Sequence, residues 1–156
     1  MATLKQKITT FIWYDGVAEE AAKLYTSLFP DSQIASVMPG PGGKAMVVDF
    51  EIAGQRYQAF NGGPGQAFSE AISFVVHCES QQEVDHYWNG LTANGGQEVE
   101  CGWCRDRFGV RWQIVPVRFF ELMHDPDPEK RTAVFGAMMN MKKFDIAALE
   151  AAHAGA

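Results

Sequence analysis

The 156-residue chain has no long apolar run, no basic stretch and only three cysteines. Each shortage excludes something. A helix needs about 20 consecutive apolar residues to cross a bilayer, and no segment here approaches that. The opening MATLKQKITT lacks the apolar core of a secretory leader, so the cytoplasm is the default expectation. The net charge is −6 with no Lys/Arg cluster, which argues against nucleic acid or an anionic membrane as partner. Three cysteines are too few, and odd in number, for a disulfide scaffold. Cys101-Gly102-Trp103-Cys104 has C-x-x-C spacing. Zinc usually needs two more ligands at short spacing. Redox pairs usually open a helix, whereas Gly102 and Trp103 read as strand. Free thiols in a reducing compartment are the expectation.

What is present is enough to build a core. Hydrophobic residues make up 47% of the chain and aromatics 12%, and charged residues at 21% do not favour disorder. Ile8 to Tyr14 suits a strand. Ala18, Ala21, Ala22, Tyr25, Leu28 and Phe29 recur at helical spacing, and Pro30 ends the helix. Gln33 to Met38 reads as a short strand, followed by a Pro/Gly turn. Ala45 to Ala53 is a long strand with Met46, Val48, Phe50 and Ile52 on one face, and Gly54-Gln55 turns it back into Arg56–Phe60. The pattern then restarts. Ala71 to Cys78 is a strand. Ser80 and Glu83 form a capping box, and Val84, Tyr87, Trp88 and Leu91 make one apolar helix face. Gln97 to Cys104 and Val110 to Val115 are strand-like. The tail after Phe119 reads as two or three helices, split near Asp125–Pro128.

This restart is an internal repeat. Glu20, Tyr25 and Leu28 match Glu83, Trp88 and Leu91 at an offset of 63 (83 − 20). Gly54-Gln55-Arg56-Tyr57-Gln58-Ala59-Phe60 aligns with Gly109-Val110-Arg111-Trp112-Gln113-Ile114-Val115 at an offset of 55 (109 − 54). The expected architecture is α+β: two β-α-β-β-β modules, about 5–62 and 70–116, in one domain over 1–156, with a helical tail about 117–154. Such a module leaves one sheet face without a helix. Two modules side by side would curve their sheets into a cupped trough, a natural place for a small molecule.

Several motifs point to a family. Trp13-Tyr14-Asp15-Gly16 with Ala18-Glu19-Glu20-Ala21, Cys101-Gly102-Trp103, Asp106-Arg107-Phe108-Gly109, Trp112-Gln113-Ile114-Val115-Pro116, and Met141-Lys142-Lys143 with Asp145-Ile146 resemble one subfamily of the vicinal oxygen chelate (glyoxalase/bleomycin resistance/dioxygenase) superfamily. This subfamily is PhnB-like and carries the label 3-demethylubiquinone-9 3-methyltransferase. The resemblance extends over nearly the whole chain. It implies a glyoxalase-like fold of two βαβββ modules and, commonly, a homodimer.

The label implies methyl transfer. A methyltransferase using S-adenosylmethionine usually shows a strand, a glycine-rich turn and a helix. Gly62-Gly63-Pro64-Gly65 follows a strand, but the next strand begins near residue 71, which leaves no room for the helix. Pro64 also lacks an N–H to offer a charged ligand. No cofactor is expected.

The resemblance also implies a divalent metal in the members that do glyoxalase or dioxygenase chemistry, held by His or Glu from the first and last strands of each module. The repeat offsets place those positions at Thr10, Ser73, Gln58 and Gln113. Neutral amides and hydroxyls bind transition metals far more weakly than imidazole or carboxylate, so no metal is expected. The same four residues suit a partly polar organic ligand in an apolar trough. Arg56 and Arg111 share parity with the glutamines and can clamp a carboxylate or phosphate. His77 shares parity with Ser73 and is the candidate general acid or base. The leading expectation is a metal-free binder of a small organic molecule, of the kind that suits a sequestering or resistance role. The alternatives are an enzyme using His77 with Arg111 or Gln113, a methyltransferase of the labelled kind, and a metal-dependent glyoxalase or dioxygenase.

Overall fold

A computed structural model describes residues 5–156. The chain divides between Ala67 and Phe68 into two compact units.

In the first unit, β1 (Thr10–Tyr14), α1 (Ala18–Leu28), β2 (Gln33–Pro39), β3 (Ala45–Ile52) and β4 (Gln55–Asn61) form a sheet of order β1-β4-β3-β2. β1 and β4 are parallel, and the other pairs are antiparallel. The helix forms where the apolar spacing predicts it. Ala18, Ala21, Ala22 and Tyr25 are its buried side, and the three alanines let its backbone lie close to β3 and β4. Tyr14 and Tyr25 are both buried and join their hydroxyls at 3.0 Å, so neither phenol is left unsatisfied. Phe29 caps α1 in extended conformation, as Pro30 requires of the residue before it. Ala53 (φ 49°) and Gly54 (φ 80°) form the two-residue hairpin turn between β3 and β4.

The second unit repeats the plan with β5 (Phe74–Cys78), α2 (Gln81–Thr92), β6 (Gln97–Glu98), β7 (Trp103–Arg105) and β8 (Arg111–Pro116), in the order β5-β8-β7-β6. The Ser80 hydroxyl accepts from the Glu83 N–H at 3.1 Å, as the capping box requires. The Glu83 carboxylate instead accepts from the Glu79 N–H, one residue upstream of the usual partner. The strand expected over Gln97–Cys104 is interrupted. Cys101 (φ 57°) and Gly102 (φ 81°) make a turn between β6 and β7, so Gly102 is not in a strand.

The β7–β8 turn is held by a carboxylate. Asp106 is buried and accepts from the N–H groups of Phe108 and Val110 and from Trp112 Nε1, at 2.9–3.0 Å. Three donors offset the cost of burying its charge. This explains physically why Asp106, Gly109 (φ 94°) and Trp112 occur together.

The tail forms α3 (Val117–Met123), α4 (Pro128–Met139) and α5 (Ile146–Ala154). It docks through backbone hydrogen bonds, the Gln81 side chain and one ion pair, Lys143 Nζ to Asp85 at 2.8 Å. The N–H groups of Cys101 and Gly102 donate to the carbonyls of Met141 and Lys142, both at 2.8 Å. Gln81 donates to the Phe144 carbonyl and accepts from the Ile146 N–H, both at 2.9 Å. Phe144 is buried, and a β-carbon at Gly102 would lie 2.3 Å from its ring.

Candidate functional site

Strand alternation gives each sheet one face under its helix and one face turned away from it. The face turned away is where the chemistry-bearing side chains gather.

In the first unit Ile12, Tyr14, Val48, Phe50, Ile52 and Ala59 are buried on the helix side. The other face carries Phe11 and Trp13 from β1, Asp49 from β3, and Arg56, Gln58 and Phe60 from β4. Phe11 is 52% exposed and Trp13 37%. Phe60 packs against both, with ring centroids 5.2 and 5.0 Å away. Beside this aromatic group Asp49 gathers three partners: Gln58 Nε2 donates to it at 2.9 Å, Ser36 Oγ at 3.0 Å, and Arg56 Nη2 stands 3.6 Å away. Gln58 and Arg56 are therefore together, as parity predicts, and Arg56 is paired.

Thr10 does not join them. It shares parity with Ile12 and Tyr14, and the residue directly beside Gln58 is Phe11. The reason is a one-residue difference in connection length. Asp15, Gly16 and Val17 link β1 to α1, whereas only Glu79 and Ser80 link β5 to α2. The offset of 63 between the helices becomes 64 between the strands, since Phe11 pairs with Gln58 and Val75 with Gln113 (75 − 11 = 64).

In the second unit Ser73, just before β5, shares the face of Val75, His77, Trp103, Arg105, Arg111 and Gln113. Gln113 Nε2 donates to Ser73 Oγ at 2.9 Å, and Gln113 pairs with Trp103 across β7–β8. Arg111 Nε donates to Glu70 at 3.0 Å, and Arg105 Nη2 donates to the same oxygen at 2.6 Å. The exposed His77 ring lies 5.5 Å from Phe120. Asp49, Glu70, Arg105 and the aromatics Phe11, Trp13 and Trp103 are the residues that sequence reasoning missed. A charged residue in antiphase with the Val48–Phe50–Ile52 face was a readable sign of Asp49. Nothing local marked Glu70.

These donors do not fit a divalent metal. Thr10, Ser73, Gln58 and Gln113 offer only neutral oxygen and amide, and three of them sit on the faces turned away from α1 and α2, beside aromatic carbon. Among the described residues, no group of three or more His, Cys, Asp or Glu is placed to hold an ion. The cysteines add none. Cys78 and Cys104 are buried, and burial pushes both thiols up to about 12, which keeps them protonated. Cys101 Sγ lies 3.9 Å from Met139 Sδ.

The glycine-rich stretch after β4 serves packing. A β-carbon at Gly62 would fall 2.2 Å from the Trp13 ring, and Trp13 Nε1 donates to the Gly63 carbonyl at 2.9 Å. No helix follows; the next element is β5 at Phe74. A cleft of about 760 Å³ opens at this end of the first sheet, lined by Glu20, Lys44, Met46, Phe60 and Asn61 among others. None of the residues expected from sequence lines it.

Two βαβββ units, the Asp106 turn and these faces meet a family model described as 3-demethylubiquinone-9 3-methyltransferase, which matches residues 6–115. The chain belongs to that family. It is 32% identical to the PhnB protein of Bacillus cereus, named for 3-demethylubiquinone-9 3-methyltransferase, over 72% of this chain and 100% of that one, with a TM-score of 0.66. It shares the fold of PA1353 from Pseudomonas aeruginosa at 19% identity over 72% and 98% of the two chains, with a TM-score of 0.57. No curated protein matches. The two βαβββ units are the glyoxalase-like fold that the sequence resemblance implies. The family match ends at residue 115, short of the near-complete span its motifs implied, and α3–α5 lie beyond it.

Proposed function

We propose that this family member binds a small, partly polar organic molecule on the sheet faces turned away from α1 and α2, using protein side chains alone and no resident metal. One observation carries the reading: neutral hydrogen-bonding groups, the Gln113–Ser73 pair and Gln58, stand beside exposed aromatic and aliphatic side chains on those faces. Apolar walls supply affinity, and a few fixed polar groups supply orientation. Arg56 and Arg111 add charge at the margin, already paired with Asp49 and Glu70. Thr10 remains in the proposal only as a neighbour of the face, at the start of β1.

A panel of small aromatic and quinone-like compounds, titrated calorimetrically in the presence of EDTA, tests this. Binding that weakens in Gln113→Ala and Gln58→Ala is expected. Binding that appears only after a divalent metal is added would reject it.

Catalysis by His77 is a second reading, favoured by its place on the face of Gln113 and Arg111. A pH-dependent turnover lost in His77→Ala supports it, and unchanged turnover removes it. Methyl transfer rests on the family description alone. Absence of S-adenosylmethionine binding by calorimetry disposes of it. Among the described residues no helix is long and apolar enough to cross a membrane. We place the protein in the cytoplasm as a homodimer, and sedimentation equilibrium tests the second point.

A further inference from the structure

The two sheets treat the same arginine differently. Arg56 and Arg111 occupy matching positions, each two residues before its glutamine. Across the antiparallel ladder Arg56 faces Glu51, but Arg111 faces Arg105. Like charges directly opposed on adjacent strands are unfavourable. The second sheet contains no acidic residue at the ladder position to relieve them.

Relief comes from outside the sheet. Glu70 lies between β4 and β5, where the chain has no helix or strand. One of its carboxylate oxygens accepts from Arg105 Nη2 at 2.6 Å and from Arg111 Nε at 3.0 Å. Two guanidinium charges thus meet one carboxylate, which leaves a local excess of +1. Arg111 is held in place, only 13% exposed, with Nη1 donating to the Gly109 carbonyl at 2.6 Å. Arg105 Nη1 reaches Gln97 Oε1 at 3.4 Å, while its Nε is buried with no hydrogen-bond partner. Glu70 itself is 54% exposed. A surface ion pair contributes little against water, so this carboxylate is the replaceable member of the cluster.

We propose that Arg105 and Arg111 are a carboxylate-binding pair for an organic acid, and that Glu70 fills the pair as an internal carboxylate which the ligand displaces. Guanidinium forks suit a carboxylate in two-point contact, and the unpartnered Arg105 Nε is the donor that Glu70 leaves unused. Two residues along the ladder, at the next position on this face, Trp103 stands opposite Gln113. The ligand class is therefore a small carboxylic acid with a planar or apolar body, its acid group on the arginines and its body over Trp103. The Arg111 hydrogen bond holds the Glu70 carboxyl below its usual range, so Glu70 is ionised at neutral pH and competes as an anion. The inference rests on the organic-ligand reading of the same face and names its substrate class.

The test uses benzoate, its neutral isostere benzamide, and acetate, titrated into the full chain while the arginine Nε–H signals are followed by NMR. Glu70→Gln removes the internal competitor while keeping a side chain of the same size. Benzoate should shift the Arg105 and Arg111 signals and bind about tenfold tighter to Glu70→Gln than to the unaltered protein. It should lose that binding in Arg105→Gln, with circular dichroism confirming the fold of each variant. Equal binding of benzoate and benzamide would overturn the arginine pair while leaving the organic-ligand reading standing. Acetate binding that gains from Glu70→Gln, with no preference for benzoate, would support the pair and overturn the reading of the face. Benzoate affinity that is unchanged, weaker or undetectable in Glu70→Gln would overturn the proposal.

Discussion

Unit one answers its arginine within the sheet; unit two answers it from a loop. Asp49 and the ladder partner Glu51 surround Arg56 with fixed negative charge. Arg111 instead meets Arg105 on the ladder and Glu70 from an irregular segment. One module plan therefore yields a locked polar face in one copy and a face with a movable counter-charge in the other. The two units share the glutamines and the helix packing. They differ at the ladder position two residues away, Glu51 against Arg105, which bears on neither core.

The hairpins differ as well, and here the largest effect is expected. Unit one turns on Ala53-Gly54 with no buried charge, while unit two hangs its turn on Asp106. Asp106→Ala leaves three donors without their acceptor, each worth about 1–3 kcal/mol when buried and unmade. Urea denaturation should show a loss of at least about 3 kcal/mol, allowing for partial rehydration. A loss under about 1 kcal/mol would mean the turn stands without its anchor.

Gly62→Ala is the matching injury to unit one. The new methyl would collide with Trp13 and Phe60. Overpacking of this kind costs about 1–3 kcal/mol. A shifted Trp13 emission should accompany it, and an unchanged melting temperature would show that the loop yields freely.

Exchanging the ladder charges sharpens the comparison. Glu51→Arg should give unit one the like-charge pair of unit two and destabilise by roughly 0.2–1 kcal/mol. Arg105→Glu should be neutral or slightly stabilising, since it places a carboxylate opposite Arg111. If both changes cost the same, the ladder partners do not explain the difference between the sheets.

At neutral pH the smallest effect concerns the thiols, which matter to stability only in alkali. At pH 8, iodoacetamide should modify Cys101, which is partly exposed, and leave buried Cys78 and Cys104 intact until the protein unfolds. Their thiols are raised from 9.0 to about 12 in the fold. The unfolded chain therefore loses these protons first, and stability should fall as pH climbs from 9 towards 12. Peptide mass mapping that finds Cys104 labelled in the folded protein would contradict this.

Much of the fold was legible in the sequence. The repeated helix faces and the Gly-x-Arg-aromatic-Gln heptads are periodic signals, and periodicity survives in a single sequence. Ser80, which caps α2, and Pro30, just after the end of α1, marked helix ends for local reasons. The site was legible only in part. Gln58, Gln113, Ser73, Arg56, Arg111 and His77 stand on the faces that parity assigns them. Thr10 does not, because one residue fewer before α2 shifts the strand register without disturbing the helix match. A one-residue slip reverses every side chain in a strand. Arg105 stayed hidden because Gln97–Cys104 read as one strand, and the Cys101-Gly102 turn that breaks it resembles strand composition. Glu70 was out of reach, since its role depends on where an irregular segment settles against β7 and β8.

The central claim is that the faces turned away from α1 and α2 work with neutral amide, hydroxyl and aromatic groups and without a metal. The most direct measurement is elemental mass spectrometry of the purified protein, before and after incubation with nickel, zinc, manganese and ferrous iron followed by dialysis. The account predicts no retained metal. Near-stoichiometric metal surviving dialysis would contradict it, and would make metal-dependent chemistry the next reading to assay.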